Sequence, residues 1–166
     1  MAAGSLPAPD PAAGGLQGSH DGSGLRLAVV TARWNHHLTG RLLAGARRAY
    51  GACDIDADSV LEAWAPGAFE LPLVCHQIAA SGDYDAVIAI GVVVRGETTH
   101  YDLVSEGAAV GIQQASLATG VPVIFGVLAT ENEQQVMDRS GDGDTNKGFE
   151  AVITAVEMAT LLGQLP

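Results

Sequence analysis

Four apolar runs divide this chain, and a helical pattern follows each of them. Residues 25–32, 59–65, 85–94 and 121–128 are dominated by Val, Ile, Ala and Leu. The third is apolar almost throughout, which suits a strand buried on both faces and not one with a wet side. After the first run, Leu38, Leu42, Ala46 and Tyr50 recur every four residues and predict a helix, with Arg41, Arg47 and Arg48 elsewhere on its surface. Pro66 and Gly67 break the second run, and a helix is expected from about Glu70 to Ala80. Tyr101, Val104, Ala108, Ile112 and Ala115 mark the next helix; Phe149, Val152, Ile153, Val156 and Thr160 mark the last. Thr130-Glu131-Asn132-Glu133 reads as a capping box opening a short helix. Buried strands alternating with helices predict an α/β fold: a three-layer sandwich, with a four-stranded parallel sheet flanked by helices. In such folds ligands sit outside the carboxyl ends of the strands.

The 166 residues suit one domain, expected over residues 24–166. Residues 1–23 are Ala, Gly, Pro, Ser and Asp with almost no large apolar group, so they are expected as a flexible tail. The formal charge of −11 argues against nucleic acid and anionic membranes as partners. Lys147 is the single lysine among eight cationic side chains, so an anionic ligand has few candidate contacts. Cys53 and Cys75 lack any C-x-x-C spacing and read as two free thiols of a reducing compartment. No run has membrane-span length, and no basic stretch precedes an apolar one at the N-terminus. A cytoplasmic location is the expectation.

The stretch GVVVRGETTHYD, residues 91–102, nearly spells a phosphate loop, but Glu97 stands where lysine belongs and Val92, Val93 and Val94 read as strand core. What is left is a strand, a glycine turn at Gly96 and a helix start near Thr98 and Thr99. Such a start can bind phosphate through its backbone N–H groups; an ordinary cap by Thr99 with Asp102 fits as well. The other strand ends carry further candidates. Trp34 can stack on a planar heterocycle or simply pack. Glu70, after Phe69, can accept from a ligand hydroxyl or favour the helix dipole. Arg139 fits a phosphate clamp or a surface ion pair.

Of five histidines, His20 lies in the tail, His36 and His37 are adjacent and form a poor metal pair, and His76 falls within a helix. His100 alone stands beside a candidate anion site, where an imidazole can move protons. No Cys/His/carboxylate cluster has metal spacing, and no G-x-S-x-G turn occurs.

GAFELP, GVVVRGETTHYD, FGVLATENEQQ and NKGFEAV, in this order and spacing, together resemble lumazine synthase from about Leu25 to Leu162. The resemblance implies a flavodoxin-like, doubly wound fold. It also implies the penultimate step of riboflavin synthesis: 5-amino-6-(D-ribitylamino)uracil condenses with 3,4-dihydroxy-2-butanone 4-phosphate to 6,7-dimethyl-8-ribityllumazine. By motif, Trp34 would stack on the pyrimidine, and Ala68, Phe69 and Glu70 would hold the ribityl chain. Val92, Val93 and Val94 would line the pyrimidine pocket through their backbone. Glu97, Thr98 and Arg139 would bind phosphate, and His100 would transfer protons. Phe125 would come from a neighbouring subunit of a homopentameric ring. Sixty-subunit icosahedral cages occur in this family, and riboflavin synthase is a candidate partner. No metal, redox cofactor or covalent nucleophile is required. SGDGDTNKG departs from the usual pattern, since Asp142 and Asp144 place negative charge near Lys147 and the expected phosphate.

Three other readings compete. A shell or flavin-binding relative would keep the assembly and lose turnover. A flavodoxin-like receiver would need carboxylates where this chain has Thr31-Ala32-Arg33-Trp34. An imine-forming aldolase would rest on Lys147, which has no apolar run around it to depress its pKa.

Overall fold

A computed structural model describes residues 6–166. Strands β1 (Leu27–Ala32), β2 (Leu61–Ala65), β3 (Ala86–Val94) and β4 (Val123–Thr130) form one sheet in the order β2-β1-β3-β4. Every pairing is parallel, with Val30 beside Ala63, Thr31 beside Ile90, and Ala89 beside Phe125. Helices α1 (His36–Ala52), α2 (Leu71–Ala80), α3 (His100–Thr119), α4 (Glu133–Met137) and α5 (Lys147–Leu162) complete the α/β fold.

Strand side chains alternate between two cores. Leu27 and Val29 of β1, with Ile88 and Ile90 of β3, face Leu42, Ala46, Val152 and Val156 from α1 and α5. Ala28 and Val30, with Val87 and Ala89, face Leu71, Cys75, Ala108 and Ile112 from α2 and α3. Both faces of β1 and β3 are therefore dry, as their unbroken apolar sequences require. A Cβ on Gly148 would overlap the Leu42 carbonyl, so α1 and α5 approach backbone to backbone. The other layer uses the same device: a Cβ on Gly111 would lie 2.7 Å from Pro72, where α3 crosses α2. That second layer stays open outward, where Leu73, Leu103, Val110 and Leu117 are exposed.

Several boundaries differ from the sequence expectation. β1 begins at Leu27 because Leu25 closes a turn on Gly22. A short 3-10 turn at Ala57–Ser59, fastened by Asp56, takes the residues before Leu61 out of β2. β4 starts two residues late and runs on through Thr130. Thr130 therefore belongs to the strand and caps nothing. The N-cap of α4 is Asn132, which accepts from the Gln135 N–H, while Gln135 Oε1 accepts from the Glu131 N–H. The cap thus lies two residues beyond the expected one, and the return bond from Gln135 reaches the N–H before the cap and not that of Asn132 itself.

Residues 1–5 of the expected tail lie outside the described residues. Nearer the domain, the segment lies on α5: the Ser19 N–H donates to Thr160 Oγ1 at 2.8 Å, and Gln164 Nε2 donates to the Gln17 carbonyl at 2.7 Å. His20 Nε2 stands 3.4 Å from Glu157. These contacts are main-chain and polar, and a Cβ on Gly18 would overlap the Glu157 carbonyl.

Candidate active site

The sheet order reverses between β1 and β3, since the chain leaves β1 toward β2 on one side and returns to β3 on the other. The carboxyl ends part there, and a groove of about 740 Å³ opens at that point. Three strand ends and the start of α3 build it.

From β1 come Trp34 and Asn35. The Arg33 and Trp34 N–H groups donate to the Ala65 and Pro66 carbonyls, which extends the β1–β2 pairing past the strand. Trp34 is thereby held at the rim with 74% of its surface exposed. The chain then turns through Asn35, whose φ of 60° and ψ of 39° are left-handed. Asparagine tolerates that conformation better than most residues. Its carbonyl accepts from Leu38 and Thr39 to start α1, and its side-chain amide donates to the Val92 carbonyl at 3.1 Å. Asn35 thus ties the two parting strand ends together.

From β2 come Pro66, Gly67, Ala68, Phe69 and Glu70, the last three in a 3-10 turn leading into α2. Phe69 is 60% exposed, yet its ring is seated: a Cβ on Gly107 of α3 would lie 2.6 Å from it. From β3 come Val92, Val93 and Val94. Val92 is 3% exposed and its side chain belongs to the core under α1 and α5, so main chain is what it offers the groove.

Gly96, Thr98, His100, Tyr101, Leu103 and Val104 close the far wall. The ordinary cap by Thr99 is absent: its side chain makes no capping bond, and Thr98 Oγ1 accepts weakly from the His100 N–H at 3.3 Å. His100, at the first position of α3, is exposed to the groove. The wall is anchored by Arg95. Glu131, nearest it, and Asp102 hold this exposed guanidinium still more firmly protonated than usual.

Three residues expected at the site are not among those lining this groove. Glu97 is exposed on the loop beside it. Phe125 is the third of eight residues of edge strand β4, 45% exposed, and Arg139 follows α4 with its guanidinium donating to the Gln135 carbonyl at 2.9 Å. Lys147 is paired with Glu150, while Asp142 and Asp144 are exposed. His37 pairs with Glu133 at 3.5 Å, and His36 meets the His37 ring edge-on. Among the described residues no group of three or more His, Cys, Asp or Glu stands close enough to hold a metal, and no helix is long and apolar enough to cross a membrane. Burial pushes the thiols of Cys53 and Cys75 up to about 11 and about 12, so neither is a ready nucleophile.

Sequence reasoning missed Asn35, Tyr101, Leu103 and Arg95. A non-glycine residue between a strand and a helix was the available signal for Asn35. Tyr101 read as helix core because its spacing fits the buried face of α3.

The groove has an aromatic rim, a carboxylate, exposed strand-end main chain, an uncapped helix start and an imidazole. Such a set can hold a planar polar heterocycle against an anionic group and move a proton between them. The model of the 6,7-dimethyl-8-ribityllumazine synthase family matches residues 24–163 of the chain.

Proposed function

The chain belongs to the 6,7-dimethyl-8-ribityllumazine synthase family, and we propose that it condenses 5-amino-6-(D-ribitylamino)uracil with 3,4-dihydroxy-2-butanone 4-phosphate, the penultimate step of riboflavin synthesis. The observation that carries this reading is the convergence of Trp34, Phe69, Glu70, Val92–Val94, Thr98 and His100 on one groove at the reversal of strand order.

The pyrimidine stacks on Trp34, and its polar edge meets the main chain of Val92, Val93 and Val94. The ribityl hydroxyls run toward Ala68, Phe69 and Glu70, whose carboxylate accepts from them. The butanone phosphate lies at Gly96–Thr98 and the N-terminal end of α3, where backbone N–H groups and the helix dipole favour an anion. The pyrimidine's amine attacks the ketone and water leaves, giving an imine. A proton is then removed from carbon as phosphate departs, and the ribitylamino nitrogen closes the ring with loss of a second water. His100 transfers the protons. The chemistry asks the protein for two reactants in register and one shuttle, with no covalent enzyme nucleophile.

A neighbouring copy completes the site. Phe125 and Arg139 stand outside the groove of their own chain, and the exposed leucines of α2 and α3 offer a second chain an apolar face. A homopentamer is the assembly this reading takes, in which the neighbour's Arg139 meets the phosphate with Glu97 and Thr98. A cytoplasmic location agrees with the soluble substrates.

The test is an absorbance and fluorescence assay with both substrates, followed in parallel by phosphate release. Lumazine and phosphate forming together above the spontaneous rate are expected. Spontaneous-rate turnover by an assembled sample would sink the enzyme reading and favour a shell that binds without reacting.

A further inference from the structure

The loop from Gly96 to Thr99 carries the expected phosphate contacts, yet its own residues do little to fix it. A Cβ on Gly96 would meet open space, Thr99 makes no cap bond, and residues 95–100 are exposed. Arg95 supplies what the loop lacks. Its N–H donates to the Thr130 carbonyl at 2.8 Å, continuing the β3–β4 ladder. Its Nε lies 3.0 Å from one oxygen of Glu131 and 2.9 Å from the other. Its Nη1 donates to Asp102 Oδ1 at 3.2 Å, and its Cζ sits 4.0 Å from the centroid of the Tyr101 ring. One side chain thus joins the end of β4 to two consecutive residues in the first turn of α3.

On the reading given above, we propose that Arg95 is a positioning residue. Through Tyr101 and Asp102 it fixes where the first turn of α3 stands, and with it Thr98 and His100, relative to the β3 wall of the groove. The arrangement needs arginine. A planar guanidinium can pair with two carboxylates in its plane while its face covers an aromatic ring; an ammonium is a compact point charge without that fork. A direct contact between Arg95 and phosphate is the weaker account, because two carboxylates already share its charge and it does not line the groove, whereas Tyr101 does.

The experiment compares Arg95→Met, Arg95→Lys and Asp102→Asn with the parent, using steady-state kinetics for each substrate and amide hydrogen exchange. In Arg95→Met, the KM for the butanone phosphate is expected to rise about 10- to 100-fold, the scale of a small misplacement. The KM for the pyrimidine should barely move. Exchange should quicken across residues 96–103 and stay unchanged in β3. Arg95→Lys should recover part of the loss, and Asp102→Asn should reproduce much of it. Unchanged exchange in 96–103 would overturn the proposal, as would equal rises in both KM values with faster exchange in β3. A parent protein without turnover would instead defeat the proposed function, and the exchange comparison would still decide the role of Arg95.

Discussion

A Cβ on Gly45 would overlap the side-chain carbonyl of Asn146. Asn146 is 1% exposed and makes four bonds at the seam of α1 and α5: its Nδ2 donates to the Arg41 and Gly141 carbonyls, and its Oδ1 accepts from the Gly148 and Phe149 N–H groups. It caps α5 and fastens α1 at once. Asn146→Ala is expected to cost about 2–3 kcal/mol, combining a lost cap with the buried Gly148 N–H left short of an acceptor. Gly45→Ala should also destabilise, by about 1–3 kcal/mol, although alanine is the better helix former. Urea unfolding at fixed protein concentration measures both. A Gly45→Ala protein as stable as the parent would show that the seam can open without cost.

The central strands and the local motifs were legible in the sequence, and the ties between distant residues were not. β1 and β3 could be read because a run such as Ala86–Val94 has no wet face to offer. The motif around residues 91–102 was legible as a wall of the groove because a strand, a glycine and a helix start are local features. Asn35 and Arg95 escaped because their partners, Val92 and Glu131, are distant in sequence. Asn146 is one polar residue among many in SGDGDTNKG, and only the meeting of α1 and α5 gives it a buried place. The shift of the α4 cap to Asn132 reflects two more residues of β4 pairing beside Val93 and Val94, which the local Thr-x-x-Glu pattern does not register.

Gly107 sets the height of Phe69 in the groove. Gly107→Val is expected to displace the ring, since its nearest atom would lie 2.6 Å from the new Cβ. The fold should survive, because Phe69 is largely exposed and can swing outward. On the proposed function, the KM for the ribityl-bearing substrate should rise by about 10-fold or more, with a smaller effect on the butanone phosphate. Equal effects on both substrates would remove Phe69 from the ribityl side.

His100 and Arg139 allow a test of shared sites. His100→Ala should slow turnover by about 10- to 10⁴-fold, the range for a lost proton shuttle. The low end is expected, because the substrates also condense without enzyme. Arg139→Ala should chiefly raise the KM for the butanone phosphate. Coassembly of the two variants should create some sites with both residues intact and recover part of the activity. A coassembled mixture no more active than the mean of its parts would place His100 and Arg139 in the same chain's site.

Arg47, Glu62 and Tyr50 give the sheet edge an acid-sensitive support. The Arg47 guanidinium holds the Glu62 carboxyl below its usual value of 4.5, and the Tyr50 hydroxyl, 3.3 Å away, adds to the effect. A depressed carboxylate stabilises the fold above its unfolded value, and that contribution fades as pH falls through the folded one. Arg47 is more than half exposed, so Glu62→Gln should cost only about 0.5 kcal/mol at pH 7. The difference between Glu62→Gln and parent should close below the ordinary carboxylate range. A constant difference from pH 7 down to pH 3 would assign the effect to packing.

The two helix layers are finished to different degrees. α1 and α5 close on each other through Gly148, Gly45 and Asn146, whereas α2 and α3 leave Leu73, Val110 and Leu117 in water. Where a second copy covers that side, as the proposed assembly requires, the free energy of unfolding includes a mass-action contribution. The melting temperature then rises with protein concentration, and dilution alone loosens the α2–α3 layer first. Because Phe69 rests on Gly107 in that layer, the groove would lose its shape on dilution before the α1–α5 side gives way.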